Sequence, residues 1–103
     1  MDYVIGKNAI DNTKLITSAK PYDVWFHIAN APSAHLIWSN PECIELDRLR
    51  SSGTIYKMAL ALKCSGKYRK IQNVVVTYTL ISNVTLTAVP GQVTTKKSKT
   101  IKV

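Results

Sequence analysis

Two histidines, His27 and His35, stand 8 residues apart in a chain of 103. Imidazole is the side chain best suited to acid–base work near neutral pH. Asp23 could orient one of them, which would give a base and its orienter. No Ser or Cys completes the set, because none lies in a nucleophile signature such as Gly-x-Ser-x-Gly. His27, His35, Cys43 and Cys64 are all metal-ligand types, but their spacings of 8, 8 and 21 residues match no zinc pattern. Gly6-Lys7 lacks the earlier glycine and the following Ser/Thr of a phosphate loop. Of the catalytic readings only a small two-histidine nuclease stands, as an alternative. The primary expectation is no enzyme, no metal and no cofactor.

A second chemistry uses the same residues. Both tryptophans, the lone phenylalanine and both histidines fall between Trp25 and Trp38. Unpaired RNA bases are gripped by aromatic faces while lysines neutralise the backbone. "GKYRK" places Tyr68 inside a basic run of Lys67, Arg69 and Lys70. The net charge is +8 and it is lopsided: residues 1–50 hold five Lys/Arg against six Asp/Glu, whereas residues 51–103 hold nine Lys/Arg and no acid. An acid-free surface attracts phosphates over about a Debye length, roughly 10 Å. Nucleic acid is the favoured partner, with an anionic membrane surface as the alternative.

The elements must position these groups. "YVIGKN" reads as a short strand and turn. "NTKLITSAK" reads as a helix capped by Asn12 and stopped before Pro21. "DVWFHIAN" and "AHLIWS" are rich in β-branched and aromatic residues, so both read as strands. Period-two alternation puts Val24, Phe26 and Ile28 on one face and Trp25 and His27 on the other. Leu36 and Trp38 then oppose His35 and Ile37. Trp25 is therefore either covered by another element or left open to a partner. "NPECIELDRLR" carries an Asn-Pro helix start and reads as a short helix or an irregular excursion. A main helix is expected over about 54–64, capped by Ser51 or Ser52, with Ile55, Met58, Ala59 and Leu62 as its apolar stripe and Gly66 at its end. "NVVVTYTLI" reads as a central strand, and "NVTLTA" continues or reverses it. "QVTT" and "TIKV" suggest a hairpin with "KKSK" at its tip. The fold class is α+β, a mainly antiparallel sheet with one main helix and one or two short ones, in a single domain over 1–103.

No apolar run approaches the ~18 residues of a membrane span. The start of the chain shows no signal-peptide pattern, so a cytosolic or nuclear setting, most simply cytoplasmic, is expected. Cys43 and Cys64 then read as semi-buried thiols.

Five segments in order resemble the NFACT-R domain, the RNA-binding module of ribosome-quality-control factors. They are "IGKNAIDNTKLI", "DVWFHIANAPSAHLIW", "ALALKCSGKYRKIQNVVVTYT", "VPGQV" and "KTIKV", spread over nearly the whole chain. The chain looks most like the compact form that also opens certain coiled-coil-domain proteins. The resemblance implies nucleic-acid binding without catalysis. In the large factors this domain helps hold tRNA on the large ribosomal subunit during template-free tail addition. The residues matching the hallmark are Asp23, Trp25, Phe26, His27, Ser33 and His35. "NVTLTAVPG" departs from relatives that place lysines there, so this segment is not expected to contribute binding. The other modules of the large factors are not present in these 103 residues, so the expectation is a stand-alone domain.

The expected function is binding of structured RNA, tRNA or rRNA, by phosphate contacts. Lys63, Lys67, Arg69, Lys70, Lys96, Lys97 and Lys99 would supply charge. Trp25, His27, His35 and Tyr68 would supply stacking or hydrogen bonds. DNA as ligand and an adaptor that docks on the ribosome or another partner are the alternatives.

Overall fold

The computed structural model describes residues 2–103. Its elements are β1 (Tyr3–Ile5), α1 (Ala9–Ser18), β2 (Val24–Ile28), β3 (Leu36–Trp38), α2 (Leu46–Ser51), α3 (Thr54–Cys64), β4 (Val75–Leu80), β5 (Val84–Leu86), β6 (Val93–Thr95) and β7 (Lys99–Lys102). Five strands form one antiparallel sheet in the order β1-β3-β2-β4-β7, and β5 and β6 form a separate hairpin. The α+β class, the mainly antiparallel sheet and the main helix over 54–64 are as the sequence led one to expect.

The alternation in β2 decides both cores. Val24, Phe26 and Ile28 pack with Leu36, Val76 and Tyr78 under Ile55, Met58, Ala59 and Leu62 of α3. On the opposite face Trp25 and Ile37 pack with Ile16 of α1 and with Ile81, which leads into β5. The sheet is thus covered by α3 on one side and partly by α1 and the β5–β6 hairpin on the other.

Four local expectations are corrected. The cap of α1 is Asn8, not Asn12: the Asp11 N–H donates to Asn8 Oδ1 at 2.8 Å, and the Asp11 carboxylate accepts the Lys7 N–H at 2.8 Å. That reciprocal arrangement resembles a capping box and starts the helix a turn earlier. Asn12 becomes a buried helical residue. The cap of α3 is Gly53, not a serine; its φ of 88° is left-handed, which glycine adopts without strain. Cys43 and Cys64 are exposed, not semi-buried. The lysine-tipped hairpin does not form. β6 pairs with β5 and β7 pairs with β4, so residues 96–98 cross from one sheet to the other. Pro90-Gly91 is the hairpin turn instead, and Ile101 and Val103 are drawn to the main core.

Asn40 is also not a helix start. Its N–H donates to Asp23 Oδ1 at 3.0 Å, its Nδ2 donates to the carbonyls of Tyr22 and Ile44, and its Oδ1 accepts the Ile44 N–H. These bonds hold residues 41–45 as an irregular loop before α2. Asn40 is 2% exposed, so its removal leaves several backbone groups unsatisfied. Asn40→Ala is expected to cost about 2–3 kcal/mol, read as a lower urea midpoint. An unchanged midpoint would refute this role.

Candidate functional site

The β2–β3 link, residues 29–35, is shaped by Ser33. Its Oγ accepts the Ile28 N–H at 3.1 Å and donates to the Ala34 carbonyl at 2.9 Å. The link returns His35 beside Trp25. The indole Nε1–H donates to His35 Nδ1 at 3.1 Å, and the rings meet edge to face. Because indole nitrogen is a donor only, His35 Nδ1 must be unprotonated and its proton sits on Nε2. His27 stacks parallel to Trp25, with ring centroids 5.7 Å apart, and meets His35 edge-on at 5.0 Å.

Burial pushes His35 down to about 4, and the neighbouring His27 adds to that fall. Burial also lowers His27. Both rings are therefore neutral at pH 7. The folded state refuses a proton that the unfolded chain accepts, so this contribution is complete above about 6.5 and lost as pH falls toward about 4. The urea midpoint is expected to hold steady from pH 7.5 to about 6.5 and to decline below it. A midpoint that rises on acidification through this window would contradict it.

A cleft of about 950 Å³ opens above these rings. Its floor includes Trp25, His27 and Thr77, its sides are the 29–34 link and the 89–93 loop, and the start of α1 closes one end with Lys7 and Asn12. Gly91 ties the loop to the helix: its N–H donates to Thr13 Oγ1 at 2.8 Å, and a Cβ there would press on Ala9. Among the described residues no carboxylate lines this cleft. A second cleft of about 520 Å³ lies across the link, between Lys7 and the Lys67–Tyr68 segment.

The expected site residues divide. Lys67, Tyr68, Arg69 and Lys70 lie at the sheet end that carries the cleft, since the Tyr68 hydroxyl donates to the Pro32 carbonyl at 3.4 Å. Lys63 is at the same end, with Nζ donating to the Val103 carbonyl. Lys96 and Lys97 are exposed toward the other end, where Thr79 Oγ1 donates to both their carbonyls. Lys99 is not a free cation: it pairs with Asp47 at 2.7 Å, which holds the carboxyl low and the ammonium high. Trp25 is 3% exposed. Its faces are occupied by its own core, so it cannot stack a base as expected. His35, at 2% exposed, likewise offers no ring face, although its edge lines the cleft. Asp23 does not orient either imidazole; its carboxylate accepts the N–H groups of Lys20 and Asn40. Among the described residues, no three His, Cys, Asp or Glu stand close enough to share a metal ion.

Lys7 and Asn12 escaped the sequence reading. The sequence marks Lys7 only as part of an incomplete phosphate loop and Asn12 only as a helix cap, whereas the fold places both on the cleft. Gly6 links them: its N–H donates to the His35 carbonyl at 2.9 Å, and a side chain there would collide with Asn12 Oδ1.

No family model matches the chain. Coiled-coil domain-containing protein 25 of Danio rerio is 30% identical over 101 residues, which is 96% of this chain and 49% of the relative. The chain thus spans about half the length of that curated relative. Among solved structures, the C-terminal part of the fibronectin/fibrinogen-binding protein from Streptococcus suis matches with a TM-score of 0.79 and 24% identity, over 98% of this chain and 39% of that one. At that identity the likeness establishes the fold alone. Among the described residues no helix is long and apolar enough to cross a membrane.

Proposed function

We propose that this chain is a non-catalytic domain of the NFACT-R kind that binds structured RNA, tRNA or rRNA, through phosphates, in the setting of the large ribosomal subunit. The observation that supports it is a sheet end rich in cations and nearly free of acids, whereas at the other end Lys20, Lys96 and Lys97 are mixed with the carboxylates. β2 ends where β4 begins, since the Ala29 N–H donates to the Val75 carbonyl. At that end lie Lys7, Lys63, Lys67, Arg69, Lys70 and Lys102, the last paired with Val75. Asp23, Asp2 and the Glu42–Glu45 loop lie at the opposite end, around the start of β2 and the end of β3. Among the described residues Asp11 is the one acid near the cleft, and it is engaged at the start of α1. A field of this kind orients a polyanion toward the clefts.

The test is a salt titration of tRNA binding, with a DNA duplex in parallel. Affinity should fall linearly in log–log form, by about 0.7–0.9 per phosphate contact. Salt-insensitive binding, or none at low salt, overturns the reading. Equal slopes and affinities on DNA would make the ligand nucleic acid in general.

A further inference from the structure

The floor of the larger cleft holds two polar atoms that nothing in the fold uses. His35 Nε2 carries its proton, as the indole bond requires. Asn12 Oδ1 accepts the His35 N–H at 3.3 Å, which leaves the Asn12 amide nitrogen facing elsewhere. His35 is 2% and Asn12 6% exposed. Neither nitrogen has a partner among the described residues, yet no fully buried side-chain nitrogen or oxygen there is left without one. Both nitrogens must therefore reach open space, and the open space these residues line is the cleft.

Their chemistry selects the occupant. Both are neutral donors in a mostly desolvated site, so they ask for acceptors. A free phosphate is poorly served. Among the described residues Lys7 is the one cation of the lining, the imidazoles are neutral, and the first turn of α1 already holds the Asp11 carboxylate. About 950 Å³ is also the size of a small-molecule pocket, toward the upper end of the usual ~300–1,000 Å³. The facing walls, Ala29, Pro32 and Ala34 against Val89, Pro90 and Val93, are apolar and suit a flat ring. Extruded bases are held in this way, by edge hydrogen bonds between apolar walls.

We propose that the cleft takes one unpaired base from the bound strand, its carbonyl or ring-nitrogen acceptors on His35 Nε2–H and Asn12 Nδ2–H, with the flanking phosphates at Lys7 and Lys67. This rests on the RNA reading above. Cytosine fits the donor pair well, because O2 and N3 are adjacent acceptors on one edge.

The experiment compares an all-cytidine RNA octamer with an abasic ribose-phosphate octamer of equal charge, at low and at physiological salt. The cytidine strand is expected to bind about 10-fold tighter at physiological salt, the worth of two modest hydrogen bonds. Thr95→Trp, an exposed strand position on the cleft wall, should obstruct the cleft and abolish the difference. Asn12→Asp keeps the acceptor for the His35 N–H, removes the donor, and should do the same. Thermal melts confirm that each variant folds. Equal affinity for the two strands overturns the base pocket while leaving phosphate binding intact. A preference that survives in folded Thr95→Trp and Asn12→Asp places the base contact elsewhere and also overturns it. Failure of both strands to bind at low salt while tRNA binds overturns the pocket alone, and failure of tRNA as well overturns the RNA reading and the pocket together.

Discussion

Replacing Lys67, Arg69 and Lys70 by alanine together is expected to weaken tRNA binding by about 100-fold at 0.1 M salt and to flatten the log–log salt slope by about 2–3. The three side chains leave the segment between α3 and β4, which the Tyr68 hydroxyl fastens to the link beside both clefts. Tyr68 is half-buried, and the Lys67 ammonium lies 5.5 Å from its ring centroid. The loop therefore has a fixed position while its cations face solvent. Losing three phosphate contacts removes the release of about three counterions' worth of free energy, and the linear salt law sets the size of the loss. The fold ranks the remaining cations. Lys99→Ala should do less than the loop triple, because the Lys99 ammonium is held on Asp47 and is not free to pair with a phosphate. Lys96→Ala with Lys97→Ala should do less than the loop triple, since their backbone is held at Thr79, away from the cation-rich sheet end. Anisotropy of labelled tRNA at four or more salt concentrations gives affinity and slope at once. A triple variant with an unchanged slope would remove this loop from the interface.

Some of this arrangement is written in short stretches of sequence and some is not. Period-two alternation in "VWFHI" is a local property, so the two faces of β2 are legible without any partner. The stripe Ile55, Met58, Ala59 and Leu62 fixes α3 for the same reason, and all four are buried. The cap of α1 falls on Asn8 and not on the expected Asn12: both are asparagines, and Asp11, reaching back to the Lys7 N–H, favours the earlier one. The hairpin over 92–103 failed for a different reason. Both "QVTT" and "TIKV" are fair strands, but pairing is a nonlocal choice, and β4 outcompetes β6 for β7 because Ile101 and Val103 join the larger core. The cleft was the least legible part. Its donors come from α1 and the end of the β2–β3 link, and its walls from the rest of that link and the β5–β6 turn, which no sequence spacing brings together.

Trp25→Ala should bring the protein close to unfolding, by about 3–5 kcal/mol. Trp25 fills the core shared by Ile16, Ile37 and Ile81, which joins α1 and the β5–β6 hairpin to the sheet. Its loss leaves a cavity there and strands His35 Nδ1, a buried acceptor worth about 1–3 kcal/mol when orphaned. Against a typical total of roughly 5–15 kcal/mol, that is a large share. Trp25→Phe separates the two terms. It keeps most of the ring packing but has no N–H, so its cost should be smaller and should fall on the hydrogen bond. It also frees the tautomer of His35, since either ring nitrogen can then carry the proton, and the imidazole ¹⁵N shifts should move from the pure Nε2–H pattern toward a mixture. RNA binding distinguishes a structural tryptophan from a stacking one. If Trp25 acts through the core, folded Trp25→Phe retains the salt slope of the parent chain, because no phosphate contact is touched. Stacking by Trp25 itself would instead require the indole to leave its core. A variant that stayed as stable as the parent yet lost RNA affinity would show that it does.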